Sequence, residues 1–196
     1  MKNKIALLLI LISLLSACSE QNFVPKPVAY PLIELPVFNE FHVFDDNCPY
    51  TFEFPQYVEI VKDSFFFDNE VLSNCWINMV YPTINAKVHF SYKEIGKDIT
   101  FEKVMEDTHE LEYNHSKKAD YIDEYPIENK NGVKGLMIDI GGNAANNLQF
   151  YLTDNETHYL RGALYFKSSP NVDSIQPALD FVKEDMLHLF ETFEWK

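Results

Sequence analysis

The sequence predicts an α+β fold, a mostly antiparallel sheet with two main helices packed on it. Three observations carry this. Between Tyr50 and Phe166, short runs alternate apolar and polar residues with a period of two, as half-buried strands do. Two other segments, from Phe101 to Lys117 and from Asp173 to Thr192, repeat apolar residues every three or four positions, as amphipathic helices do. The order is strands, helix, strands, helix, without the regular alternation that builds a doubly wound parallel sheet.

The elements follow in chain order. Phe52 and Phe54 face one side of the first strand and Thr51 and Glu53 the other, with Val58 and Ile60 continuing beyond Pro55. Cys75, Ile77, Met79 and Tyr81 alternate with Trp76, Asn78 and Val80. Val88, Phe90 and Tyr92 alternate with Lys87, His89, Ser91 and Lys93. The first helix carries Phe101, Val104, Met105, Thr108, Leu111 and His115 on one stripe and Glu102, Glu106 and Glu110 on another. Asp98 or Thr100 caps its start, and Lys117 and Lys118 suit the negative end of its dipole. Asn131-Gly132 marks a turn before a strand in which Leu136, Ile138 and Ile140 alternate with Met137 and Asp139. Leu148, Phe150 and Leu152 then alternate with Gln149, Tyr151 and Thr153. Leu160, Leu164 and Phe166 alternate with Tyr159, Arg161 and Tyr165, and Asp154-Asn155-Glu156 joins these two strands as a hairpin. In the last helix Ser174 is the expected cap and Pro177 falls in the first turn, ahead of a stripe of Leu179, Val182, Met186, Leu189 and Phe193. The arrangement is similar to the Mog1/PsbP-like α/β/α sandwich.

The chain begins with Lys2 and Lys4 followed by an apolar run from Ile5 to Leu15. A spanning helix needs about 20 apolar residues, and the polar stretch Ser19-Glu20-Gln21-Asn22 ends this run short of that. A basic start, a short apolar segment and small residues before a break describe an export signal. Leu15-Ser16-Ala17-Cys18 matches the bacterial lipobox, in which the cysteine thiol receives the lipid and the chain is cut just before it. Several acyl chains of the palmitate type, at about 0.8 kcal/mol per buried methylene, anchor far more firmly than one. The expected organisation is a signal peptide over 1–17, a lipid-anchored proline-rich tether over 18–36 and a single α+β domain over 37–196. Pro25, Pro27, Pro31 and Pro36 keep the tether extended. Ser19 after the cysteine does not argue for inner-membrane retention, so the expected address is the outer membrane, on its periplasmic side.

Cleavage before Cys18 removes 17 of 196 residues and leaves 179, enough for one well-cored domain. The mature part then holds 14 basic against 30 acidic residues, a net charge of −16. Such a charge repels nucleic acid and anionic headgroups; it reads as an acidic soluble surface or as a match for a basic partner. Cys48 and Cys75 remain once Cys18 is acylated. In an oxidising compartment they most simply form a disulfide, with two buried thiols or a metal pair as alternatives. No CxxC or histidine-rich spacing supports zinc.

No GxSxG, HExxH or phosphate-loop motif is present, and no catalytic residue, metal or cofactor is expected. His109 and His115 lie roughly 120° apart around a helix axis, which does not make a ligand pair. Asp139-Ile140-Gly141-Gly142-Asn143 ends a strand in a turn whose glycines either shape the turn or let a ligand approach. Arg161 shares a strand face with Tyr159 and Tyr165, where it can stack and pair with a carboxylate, either internal or on a partner. Phe65-Phe66-Phe67 either folds over the sheet edge or docks something.

These residues also carry a family resemblance over nearly all of the mature sequence. The lipobox Cys18 is followed by Pro25-Lys26-Pro27 and Tyr30, then Cys48-Pro49-Tyr50 with Phe52-Glu53-Phe54-Pro55. Next come Cys75-Trp76-Ile77-Asn78, Pro82 and His89-Phe90-Ser91-Tyr92-Lys93, then His115 with Lys118-Ala119. The most specific stretch is Gly142-Asn143-Ala144-Ala145, Gln149-Phe150, Thr153-Asp154 and His158-Tyr159-Leu160-Arg161-Gly162-Ala163-Leu164-Tyr165-Phe166. Pro170-Asn171, Asp173-Ser174 and Trp195 complete it. The chain is similar to the gliding motility lipoprotein GldD family of Bacteroidota. It departs at the tether, with Val28-Ala29 where Arg-Gly usually stands and Tyr30-Pro31-Leu32 where an aromatic-Arg-Ile run is usual. The resemblance implies a cell-envelope lipoprotein needed for gliding and linked to the type IX secretion apparatus and its other lipoproteins. It supplies no enzymatic activity. The expectation is a non-enzymatic structural or assembly component; the alternative is a periplasmic small-ligand or cell-wall binding module using the Gly141 turn and the tyrosines near Arg161.

Overall fold

The two periods seen in the sequence sort into three layers. The computed structural model describes residues 32–37, 40–62, 75–96, 99–115, 119–167 and 172–196. Cys18, most of the tether, Asp98, the Phe65-Phe66-Phe67 run and Lys117-Lys118 lie outside the described residues. In chain order the strands are β1 (Phe41–Phe44), β2 (Tyr50–Pro55), β3 (Glu59–Lys62), β4 (Ile77–Tyr81), β5 (Ala86–Glu94), β6 (Ile122–Glu128), β7 (Lys134–Ile140), β8 (Leu148–Thr153), β9 (His158–Phe166) and β10 (Glu194–Trp195). The helices are α1 (Phe101–His115) and α2 (Val172–Thr192). The α+β class stands, and the pairing is antiparallel throughout the described ladders.

The strands form two sheets rather than the one expected: a seven-stranded sheet ordered β3-β4-β5-β9-β8-β7-β6 and a small one ordered β1-β2-β10. The central pair, β5 and β9, runs in register from Ala86↔Phe166 to Glu94↔His158. Val88, Phe90, Phe150, Leu152, Leu160 and Leu164 point to one face, where α2 lays Leu179, Val182, Met186 and Leu189 against them. Two close approaches depend on glycine in this layer. A Cβ on Gly162 would stand 2.0 Å from the Phe150 ring, and one on Gly135 would meet the Tyr151 carbonyl oxygen at the same distance.

The small sheet wraps the end of α2. Tyr50 and Phe52 of β2 stack on Phe193, with centroids 5.6 and 6.2 Å apart, and Phe44 of β1 stacks on Phe52 at 5.0 Å. Aromatic pairs of this kind contribute about 0.5–1.5 kcal/mol each beyond the area they bury. Three amide contacts finish the helix: Asn129 Nδ2 donates to the carbonyls of Phe190 and Phe193, and Asn131 Nδ2 donates to that of Phe193. These satisfy carbonyls that the last helical turn cannot pair.

The opposite face of the large sheet carries α1. Thr100 Oγ1 accepts from the Lys103 amide, so Thr100 caps this helix. Among the described side chains, Val104 and Thr108 are buried on this helix. The second face is apolar at one end too. Leu136, Ile138 and Ile140 of β7 pack there with Ala144, while Met137 belongs to the main core, so both faces of that strand are covered and the expected wet side is absent.

Two expectations about α2 are corrected. It begins at Val172, so Ser174 sits inside the first turn instead of capping it, and Pro177 falls beyond the first turn. Strands β1, β6 and β10 have no counterpart in the sequence reading. β6 is exposed along nearly its whole length and contains Pro126, so no alternation of burial marks it; proline and charge are common devices on a sheet edge.

Candidate functional site

Arg161 and Tyr159 meet in a cleft between α1 and the second sheet face. The cleft holds about 180 Å³ and is lined, among the described residues, by Trp76, Ser91, Lys93, Val104, Asp107, Thr108, Tyr159 and Arg161. The register explains the grouping. Ser91, Arg161 and Tyr151 are cross-strand neighbours on β5, β9 and β8, and Lys93, Tyr159 and Thr153 form the next row. Tyr165 is not part of this group. It lies four residues along β9 on a wider depression of about 560 Å³ with Val80, Pro82, Lys87, Phe166 and Lys167.

Most polar atoms of the cleft are engaged. Thr108 Oγ1 donates to the Val104 carbonyl at 2.8 Å, which leaves the Tyr159 hydroxyl to donate to Thr108. Tyr159 also stacks on Tyr151, with centroids 5.7 Å apart. Trp76 Nε1 donates to the Tyr92 carbonyl at 2.7 Å. Asp107 lies 3.5 Å from Lys93 and 3.2 Å from Lys103; the Lys103 hydrogen bond leads in holding its carboxyl below the usual range. Arg161 corrects the expectation of an internal acid. Its guanidinium donates through one terminal nitrogen to the Gln149 amide oxygen, and no carboxylate of the described residues pairs with it. Arg161 Nε and Gln149 Nε2 are buried donors without a hydrogen-bond partner.

A second cluster joins α2 to the other side of the molecule. Tyr57 Oη donates to Asp185 Oδ1 at 2.8 Å. Tyr81 Oη and Asp185 Oδ2 are buried and make no hydrogen bond of ordinary geometry, yet they interact, since each shifts the other. Burial raises the Asp185 carboxyl to about 6 against the lowering effect of Tyr57, Tyr81 and His188. Burial, reinforced by Asp185, also raises Tyr81 far above its usual range. Sequence reasoning missed this acid, since its spacing on α2 resembles that of the exposed charges beside it.

The glycine turn is occupied by the protein itself. A Cβ on Gly141 would fall 2.0 Å from the Tyr121 ring, Gly142 adopts a φ of +84°, and Asn147 Nδ2 donates to the carbonyls of Ile140 and Gly142. The histidines of the sheet are likewise engaged. His89 Nδ1 is 3.0 Å from Asn78 Oδ1, and His158 Nδ1 is 2.8 Å from Tyr92 Oη. His109 is exposed on α1, and the side chain of His115 is outside the described residues.

The structure joins Cys48 to Cys75, with Cα atoms 5.4 Å apart. The bridge lies where β2 begins and just before β4, and it ties the small sheet to the large one. Tyr50 Oη donates to the Cys75 carbonyl at 2.7 Å beside it.

A comparison with protein families matches residues 20–195 to the model for the gliding motility lipoprotein GldD. The chain belongs to the gliding motility lipoprotein GldD family. The match takes in both sheets, both helices, the disulfide and the Arg161 cleft, so these are parts of a GldD-type lipoprotein domain. No curated protein matches the chain. Membership places the protein in the cell envelope as a lipoprotein. Among the described residues, no helix is long and apolar enough to cross a membrane.

Proposed function

We propose that this GldD-family chain is a non-enzymatic structural or assembly component of the gliding and type IX secretion machinery. Its signal peptide is removed before Cys18, the cysteine is acylated, and the proline-rich segment tethers the domain to the periplasmic face of the outer membrane. The observation that carries this reading is the family match across residues 20–195, together with the lipobox that precedes it. The internal chemistry is consistent with a scaffold. The glycine turn, His89, His158, Asn78 and Asn147 are spent on the protein's own hydrogen bonds. Other envelope lipoproteins of the same machinery are the partners this reading implies, and the acidic mature surface favours basic faces on them.

The test is complementation of a strain that lacks the protein. Wild type is expected to restore gliding and to fractionate with the outer membrane. Cys18→Ala is expected to lose the membrane association and to lower the steady-state level of at least one other envelope subunit of the machinery. A Cys18→Ala protein that stays in the membrane fraction would remove the anchoring part of the proposal. Unchanged levels and co-fractionation of every other subunit in the null strain would remove the assembly part.

A further inference from the structure

The stretch that leads into β1 carries large apolar side chains that the fold leaves exposed. Among the described residues, five of the eleven exposed large apolar side chains lie between Leu32 and Val43. Leu32 is 90 % exposed, Val37 78 % and Val43 62 %, with Leu35 and Phe41 less so. Single apolar residues are ordinary on a soluble surface, whereas a cluster marks a place that something covers. This cluster is held in position by its inward neighbours. Ile33 packs against the main core and Pro36 is half-buried, so Leu32, Leu35 and Val37 are turned outward. Phe41 and Val43 share one side of β1, since side chains alternate along a strand, and Phe41 stacks on His188 of α2 with centroids 3.6 Å apart. From Val37 to Phe41 the chain spans at most about 14 Å, so the two groups form one neighbourhood where the tether enters the domain.

Chain order points to what covers it. Cys18 precedes Leu32 by 14 residues, a reach of at most roughly 50 Å at full extension. The cluster is therefore the part of the described chain nearest in sequence to the lipid. Anchoring makes a contact with the bilayer intramolecular and raises its effective concentration. A stripe too small to hold a membrane from solution is then held at one, and it supplies a second signal beside the acyl chains. Glu34 and Glu40 lie in the same span, and the mature part has a net charge of −16. Both disfavour anionic headgroups, so the fitting surface is zwitterionic.

We propose that Leu32, Leu35, Val37, Phe41 and Val43 form a membrane-contact face, seated at the headgroup boundary of the zwitterionic bilayer that holds the Cys18 lipids. This rests on the acylation of Cys18 but not on the assembly role. The contact gives the domain an orientation. It turns the small sheet toward the bilayer and leaves α1, on the opposite face of the large sheet, pointing away from it.

The test uses the acylated full-length lipoprotein in vesicles of phosphatidylcholine and phosphatidylethanolamine with brominated acyl chains, which quench tryptophan on contact. Val37→Trp puts a probe in the face, and Glu110→Trp puts one on the exposed side of α1. The signal of the parent protein, from Trp76 and Trp195, is subtracted from each. Quenching in Val37→Trp is expected to exceed that in Glu110→Trp several-fold. Adding Leu32→Ser and Leu35→Ser to Val37→Trp is expected to bring the quenching down to the Glu110→Trp level. The thermal midpoint is expected to stay near wild type, because both side chains are exposed. Flotation with the vesicles reads the anchor separately. Flotation with equal quenching in the two probe variants would leave the anchor standing and overturn the contact face; this is the result if a protein partner or water covers the cluster. Quenching that survives the two serine substitutions would show that these leucines do not make the contact and would also overturn it. Failure to float would remove the anchor and the contact face with it.

Discussion

Asp185 lowers the stability of the folded protein at neutral pH. Burial raises its carboxyl from 3.8 to about 6, so the folded state holds the proton about a hundredfold more tightly than the unfolded chain does. At 1.36 kcal/mol per tenfold this corresponds to ~3 kcal/mol as an upper bound. The side chain is only partly buried, and solvent screening reduces the effect to about 1–2 kcal/mol. The sign follows from linkage. With the folded value above the unfolded one, the folded state binds more protons between 3.8 and about 6, and stability falls as pH rises through that window. Asp185→Asn removes the titration and keeps the geometry. Its amide oxygen can accept from Tyr57, and its NH₂ can donate to Tyr81 Oη, which has no other hydrogen bond. Urea denaturation of wild type and variant from pH 4 to pH 8 measures the difference. The variant is expected to match wild type near pH 4 and to exceed it by about 1–2 kcal/mol above pH 7. A variant that is less stable by the same amount at every pH would show that the carboxylate is a net stabilising group and refute the reasoning. The exposed acids lowered by lysine contacts, Asp46 and Asp107, lose their contribution at pH values below the Asp185 window, so they do not obscure it.

Three further predictions concern the frame around the site. Replacing Cys48 and Cys75 together by serine opens a 27-residue separation, and the loss is expected to be about 3 kcal/mol in the chain-entropy model; thermal melting with and without reductant reads it, and a wild-type midpoint indifferent to reductant would argue against the bridge. Asn129→Ala removes two hydrogen bonds to the end of α2 and is expected to cost about 1–3 kcal/mol, seen as a lower denaturation midpoint with the slope unchanged. Gly162→Ala drives a Cβ into the Phe150 ring; the expected loss is about 1–3 kcal/mol or more, from overpacking, and Phe150→Leu in the same chain is expected to recover part of it.

The elements that sequence reading recovered are those whose residues alternate between large apolar and polar types. β2, β4, β5, β8 and β9 each turn one face to the core, and that face is visible as Phe, Val, Met and Leu at every second position. β6 has no such signal because it is an edge strand exposed on both sides. β10 is two residues long, and pairing with β2 decides it more than local preference does. The apolar face of Leu136, Ile138 and Ile140 was legible, but the burial of Met137 on the other side of β7 was not, because that side meets the main core while the Ala144 loop covers the first. The grouping of Arg161 with Tyr159 was legible from the period of two. Gln149, twelve residues earlier on β8, was not, since only the register places it beside the guanidinium. Asp185 was equally hidden, because its meaning depends on Tyr57, in the turn before β3, and Tyr81, at the end of β4.

The central claim is that this lipoprotein acts by holding other envelope proteins together, and a crosslinked pull-down from membranes tests it most directly. Native protein and Cys18→Ala would be captured side by side and their partners identified by mass spectrometry. The account predicts that gliding or type IX secretion components co-purify with the acylated protein and are lost or strongly depleted with the variant. Recovery of no machinery protein with the native form, alongside a bound glycan or small molecule, would contradict it.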